Sequence, residues 1–237
     1  MIQPQVDMLL QYFGREVDEL VRAREEYFAQ TGGEVHADDR CYEQRMQAFF
    51  NWFLFDRRQK DGSTPVERFL REKGADLPSQ DKDVLMGCAQ SRLSLYEYRG
   101  TRGFFSRPAK GQVRVRDTLT GDDFDVTERR QMHGLDIGDL FESRLVPVNR
   151  TYHFSTSFTY HPHEVEPEIR REIKRRKKKG AVDPRPLLWE LERMALQHEH
   201  FRNVSIDAIY NFEMPFLSRR GREEEQALPA TGGGRRP

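Results

Sequence analysis

Between Arg170 and Lys179, eight of ten residues are basic: Arg170, Arg171, Lys174, Arg175, Arg176, Lys177, Lys178 and Lys179. A phosphate backbone suits such a run, because each neutralised phosphate releases a condensed counterion. The plainer reading is a solvated helix end. Glu164, Glu166 and Glu168 precede the run and lysines close it, which is the order the helix dipole favours. A second patch lies upstream, where Phe104 and Phe105 are flanked by Arg102, Arg107 and Lys110. Bases stack on aromatics beside cations of this kind, although a loop pair of phenylalanines also serves as a lid on a core. These thirteen residues are the candidate contacts to RNA or DNA.

Other chemistry finds less in the chain. His161 and His163 flank Pro162, Glu164 follows, and His153 shares a strand face with His161. Imidazole and carboxylate so placed resemble part of a zinc or iron shell, but the helix-borne His-Glu-x-x-His pattern is missing. His198 and His200 are two apart, so on a helix they point away from each other. Cys41 and Cys88 sit in apolar contexts that suit packing. There is no Gly-x-Ser-x-Gly, phosphate loop or dinucleotide fingerprint, and Asp122-Asp123 occupies a turn, where Asp is expected. The reading is a non-enzymatic protein with no cofactor and no metal.

The elements that must position these groups follow from periodicity. Val6, Leu10, Phe13, Val17, Leu20 and Tyr27 repeat at four-then-three spacing, a seam along one helix that Gly32-Gly33 ends. Tyr42 to Phe55 is apolar on most sides and predicts a buried helix. Thr64-Pro65-Val66-Glu67 is a capping box opening a short helix, and another runs from Ser79 to about Gln90. Near residue 92 the period becomes two. Leu93 to Arg99, Val113 to Arg116, Phe124 to Val126, Leu140 to Val148 (broken by Pro147) and Thr151 to His161 read as strands. In the last, Tyr152, Phe154, Phe158 and Tyr160 share one face and are expected to fill a core. So short a sheet favours closure, which removes exposed edges. Helical pattern returns with Val165, Ile169 and Ile173. A second seam follows in Leu187, Leu191, Met194, His198 and Phe201, then a short helix near Ile206 to Phe212.

The expected fold class is therefore α+β: a helical N-terminal region (1–90), a small central meandering β-barrel of SH3-like or OB-like type (91–163), a C-terminal helical pair with the basic segment (164–217), and a disordered tail (218–237). The two seams are expected to pack on each other or on a second subunit, so the alternative function is an adaptor or regulatory scaffold that binds a protein partner or forms a homodimer.

Composition narrows the classes. Among 237 residues, Lys+Arg and Asp+Glu are equal at 39 each, so any polyanion binding must come from a local patch. No apolar run nears the ~18 residues of a membrane span, and Met1-Ile-Gln-Pro-Gln lacks a signal-peptide pattern. Two cysteines cannot build a disulfide framework. A cytoplasmic protein without membrane contact is expected.

Three segments carry a wider resemblance: Asn51-Trp-Phe-Leu-Phe-Asp56, Gly62-Ser-Thr-Pro-Val-Glu-Arg-Phe-Leu70 and Val115-Arg-Asp-Thr-Leu-Thr-Gly121. They resemble segments of an uncharacterised family of bacterial proteins, some of which end in a SEC-C zinc motif that is absent here. The resemblance implies a bacterial source and no settled activity. Leu228-Pro-Ala-Thr-Gly232 is similar to a sortase signal, but only Gly-Gly-Arg-Arg-Pro follows it, so anchoring is not implied.

Overall fold

A computed structural model describes residues 2–100, 111–128 and 134–216. Five helices come first: α1 (Gln3–Phe13), α2 (Val17–Gln30), α3 (Tyr42–Phe55), α4 (Pro65–Lys73) and α5 (Ser79–Ala89). The strands are β1 (Arg92–Tyr98), β2 (Gln112–Asp117), β3 (Asp123–Thr127), β4 (Leu140–Val148) and β5 (Thr151–Tyr160). A 3-10 turn at His163–Val165 leads into α6 (Glu166–Lys177), α7 (Pro184–His200) and α8 (Ile206–Ile209). Among the described residues no helix is long and apolar enough to cross a membrane.

The strands close in the order β1-β2-β3-β5-β4. The first three meander; β4 then returns beside β1, and β3 lies parallel to β5. That is a Greek-key closure, the arrangement of OB-type barrels. Asn149 and Arg150 join β4 to β5 with positive φ at both positions, as a two-residue hairpin of matching twist requires. Pro147 does not break β4. Its strand partner is Tyr152 on β5, whereas β1 reaches β4 only as far as Leu145, so the missing N–H costs no ladder bond to β1.

Three apolar clusters organise the chain. The barrel interior holds Tyr96, Val113, Val115, Val126, Phe141, Leu145 and Phe154, with Tyr152 and Phe158 partly buried against them. Tyr160 departs from expectation: at the end of β5 it remains 47% exposed. The N-terminal helices form a second core that takes in Val146 and Val148 from the outer face of β4. The third joins Leu95 and Leu140 on the barrel exterior to α6, α7 and α8.

The expected single N-terminal helix is two. Gly14 accepts the end of α1 by donating its N–H to Leu10, and the chain re-enters helix at Val17, so the seam splits. Val6, Phe13 and Tyr27 are buried while Val17 and Val21 are 60% and 49% exposed. The two seams also do not pack on each other. The first goes into the N-terminal core; Leu187, Leu191 and Met194 of the second go into the C-terminal one. α7 meets the N-terminal helices through its other faces, where Glu192 accepts from Tyr27 and Leu196 enters the N-terminal core. The expected capping box is present, with Thr64 N donating to Glu67 at 2.7 Å and Glu67 N to Thr64 Oγ1 at 3.4 Å.

Helix α5 approaches β4 through a glycine. A Cβ on Gly87 would stand 2.1 Å from the Pro147 carbonyl oxygen and 3.2 Å from Val148 Cγ2. Glycine within a helix ordinarily costs about 1 kcal/mol relative to alanine, so alanine would stabilise an open site. Here the obstacle is backbone, and Gly87→Ala will instead destabilise by about 1–3 kcal/mol. Urea unfolding decides the sign; a gain in stability would contradict the close approach.

Candidate anion-binding surface and a buried polar cluster

The basic segment forms α6 as far as Lys177 and continues through Lys178 and Lys179. Ile169 and Ile173 bury one face in the C-terminal core, which turns the cations sideways and outward. The arginines meet the protein's own acids. Arg170 reaches Glu166 and Glu97, and Arg171 pairs with Glu168. Arg175 and Arg176 share Glu172, and Arg176 also bonds Glu190 at 2.6 Å. Burial pushes the Glu172 carboxyl up, but hydrogen bonds from the two guanidiniums prevail and hold it below the usual range.

The lysines are different. Lys174, Lys177, Lys178 and Lys179 are exposed, and among the described residues none makes an ion pair; Lys177 Nζ donates only to the Thr118 carbonyl, at 2.9 Å. The helix thus separates the eight cations into four neutralised arginines and four available lysines. Arg170 stands beside Gly138 and Glu97 at one end of β1. Lys177 stands beside Thr118, just past the other end of β2. The β1–β2 loop leaves from the first of these ends, between Gly100 and Gly111. Arg102, Phe104, Phe105, Arg107 and Lys110 in that loop lie outside the described residues. On the outer face of the β2–β3 ribbon, Arg114 pairs with Asp125 and Arg116 with Asp123, so that face adds no surplus charge.

The histidines do not converge. His153 bonds Thr151 Oγ1 at 3.0 Å, His163 meets Asp139 at 2.9 Å, and His161 is buried elsewhere. Asp139 holds the His163 imidazole above its ordinary pKa. Among the described residues no three His, Cys, Asp or Glu side chains come together as a metal site would need. Burial pushes the Cys88 thiol up to about 12, which suits a packing role.

A cluster that periodicity did not single out lies between barrel and helices. Outward residues of β4 run Leu140, Glu142, Arg144, Val146 and Val148. The apolar ends enter the two helical cores, and the charged middle is buried where those cores meet. Glu142 Oε1 lies 3.0 Å from His161 Nε2, while His161 Nδ1 lies 3.2 Å from Tyr210 Oη. Glu192 accepts the Tyr27 hydroxyl at 2.5 Å and meets Arg45 at 3.3 Å. Arg45 also donates to Thr31 O and Oγ1, at 2.9 and 2.7 Å. Arg144 pairs with Asp56, which Arg185 meets at 2.7 Å, and donates to Ser91 Oγ at 3.0 Å.

Desolvation dominates this cluster. It raises the pKa of Glu142 well above the carboxylate range, helped by the charge of Glu192, and raises Glu192 too. It lowers His161 to about 3. The 3.0 Å contact between Glu142 and His161 has the geometry of an ion pair, but both shifts oppose charge separation, so the neutral imidazole is favoured. The cavity between Glu142, Glu192, Arg144 and Arg185 measures about 10 Å³, enough for one water. A substrate does not fit there, and the cluster acts through the fold.

A wider cavity of about 760 Å³ lies between α3 and β5, with Tyr42, Met46 and Phe50 facing Phe158 and Tyr160. The Phe158 and Tyr160 rings stack 5.9 Å apart at 9°.

The model of a family of unknown function, DUF7986, matches residues 10–185. The chain belongs to this family. The DUF7986 match contains all three segments that carried the sequence resemblance, the whole barrel and α6, and it ends at the start of α7. No curated protein and no solved structure matches significantly. The family supplies no activity, and Glu192 and Tyr210 of the buried cluster lie beyond the matched range.

Proposed function

We propose that this is a non-catalytic cytoplasmic binding protein that contacts a nucleic-acid strand through the lysine end of α6. One observation carries the reading: internal acids occupy Arg170, Arg171, Arg175 and Arg176, while Lys174, Lys177, Lys178 and Lys179 stay exposed without a carboxylate partner among the described residues. A neutral molecule with one such patch gains little from long-range attraction but retains local counterion release. The OB-type barrel supports the reading in kind, since such barrels commonly present single strands to loops and one sheet face.

The test is fluorescence polarisation with a labelled single-stranded RNA across a salt series. Four lysine contacts give a slope of log K on log salt of about −2 to −3. Neutralising all four to glutamine will flatten the slope and weaken binding about tenfold or more at low salt. Their exposure leaves the fold unchanged in the variant. Salt-insensitive binding, or equal binding by the variant, removes the proposal.

The alternative, an adaptor docking through its helical seams, draws less support. Leu187, Leu191 and Met194 are spent on the C-terminal core and Phe13 and Tyr27 on the N-terminal one. Of the first seam, Val17 is the member left largely exposed.

A further inference from the structure

A cavity of about 210 Å³ opens between the end of α6, one face of α7 and the chain that follows α8. Its apolar wall is Met194, Ile209, Phe212 and Phe216. Gln197 Nε2 donates to the Phe216 carbonyl at 2.7 Å and so holds the last of these in place. An apolar cavity of about 150 Å³ is known to accept benzene, so this one has room for a ring-sized body and a small polar group.

The rim is cationic. Arg175, Arg176 and Arg193 line it, against Glu190 alone. Glu172 bonds both Arg175 and Arg176, and the charge of Glu213 also reaches Arg175, so acids answer those two guanidiniums. None answers Arg193: Nη2 donates to the Gln30 carbonyl at 3.3 Å, and among the described residues Arg193 forms no ion pair. A guanidinium has five N–H donors in a fork that fits a carboxylate, so most of its donor capacity is unspent. An apolar wall beneath a single uncompensated arginine matches a singly charged amphipathic ligand.

We infer that this cavity binds a small organic monocarboxylate, its aromatic or short aliphatic body against Met194, Ile209, Phe212 and Phe216 and its carboxylate on Arg193. This site shares no lysine with the proposed nucleic-acid surface, and most of it lies beyond the span that the family model matches.

Isothermal titration of the full chain with sodium benzoate, and with benzamide as a neutral probe of the same shape, tests it. Benzoate will bind with Kd of about 1 mM or tighter, in line with a ligand of its size. Benzamide will bind about tenfold more weakly. Arg193→Gln will weaken benzoate about tenfold, while Glu190→Gln, which removes the one acid on the rim, will tighten it a few-fold. Both side chains are partly exposed, and Glu190→Gln gives a reading of opposite sign should Arg193→Gln disturb packing. The inference is overturned if benzoate fails to bind the full chain, if benzamide matches it, or if both variants bind benzoate as the original does.

Discussion

Arg144→Ala will destabilise the protein by about 3–5 kcal/mol, the usual cost of removing one partner from a buried charge pair. Arg144 is among the largest fully buried side chains. It projects outward from β4, stacks its guanidinium 5.3 Å from the centre of the Phe55 ring, bonds Ser91 and pairs with Asp56. Three elements (α3, the end of α5 and the barrel) are therefore tied at one guanidinium. Alanine removes those bonds, leaves a void and obliges Arg185 to serve Asp56 alone. Arg144→Met fills the space and will cost less than alanine, because part of the loss is cavity. The midpoint of urea unfolding reads both. A cost below about 1 kcal/mol for alanine would mean that the helices hold to the barrel by apolar contact alone.

The second large effect is on pH. Glu142 and Glu192 have folded pKa values raised by burial above their unfolded values. Their contribution is complete below the unfolded carboxyl pKa of about 4.3 and is lost as pH rises through the folded values. His161 behaves oppositely. Its folded pKa, about 3, lies below the 6.5 of a free imidazole, so the unfolded chain takes up a proton first and stability falls as pH drops from 6.5 towards 3. Each group contributes a slope of up to about 1.4 kcal/mol per pH unit in its window. Between pH 4.5 and 6.5 the slope of the one imidazole opposes those of the two carboxyls. Above 6.5 the imidazole adds no slope in either direction.

Glu142→Gln keeps a side chain that His161 can bond and removes the titration. It will therefore stabilise at pH 8, change little at pH 4.5, and flatten the difference between them by about 1–3 kcal/mol. Thermal unfolding of both forms across that range is the measurement. Equal pH dependence in the two proteins would show that Glu142 is ionised in the fold at neutral pH, against the direction that burial imposes.

Much of the architecture was legible in the sequence, and the reason is period. Alternation from Leu93 to His161 marked the strands, the capping box at Thr64 fixed the start of α4, and the apolar girth of Tyr42 to Phe55 required a buried helix. Such signals are local, because each records how one element meets a core. The split between α1 and α2 escaped the seam because Gly14 and its neighbours keep the spacing while breaking the helix. Tyr160 kept the alternation of β5 but lies where the barrel no longer covers it. The basic run was equally plain in type, and each of its arginines finds an acid three or four residues earlier in Glu166, Glu168 or Glu172; only the contacts to Glu97 and Glu190 depended on the tertiary fold.

The buried cluster shows the limit most clearly. In Leu140-Phe-Glu-Ser-Arg-Leu-Val, Glu142 and Arg144 fall on the face opposite Phe141 and Leu145, and charged residues at the centre of a face are ordinarily left to solvent. Helices α3, α5 and α7 cover it instead, and with α2 they bring Tyr27, Arg45, Asp56 and Glu192 from distant positions to meet it. Residue type and spacing determined that this chain is a barrel between helices with one strongly basic stretch. Which charges are buried, which are matched and which stay available was decided only by tertiary packing, because solvation and ion pairing depend on neighbours in space rather than in sequence.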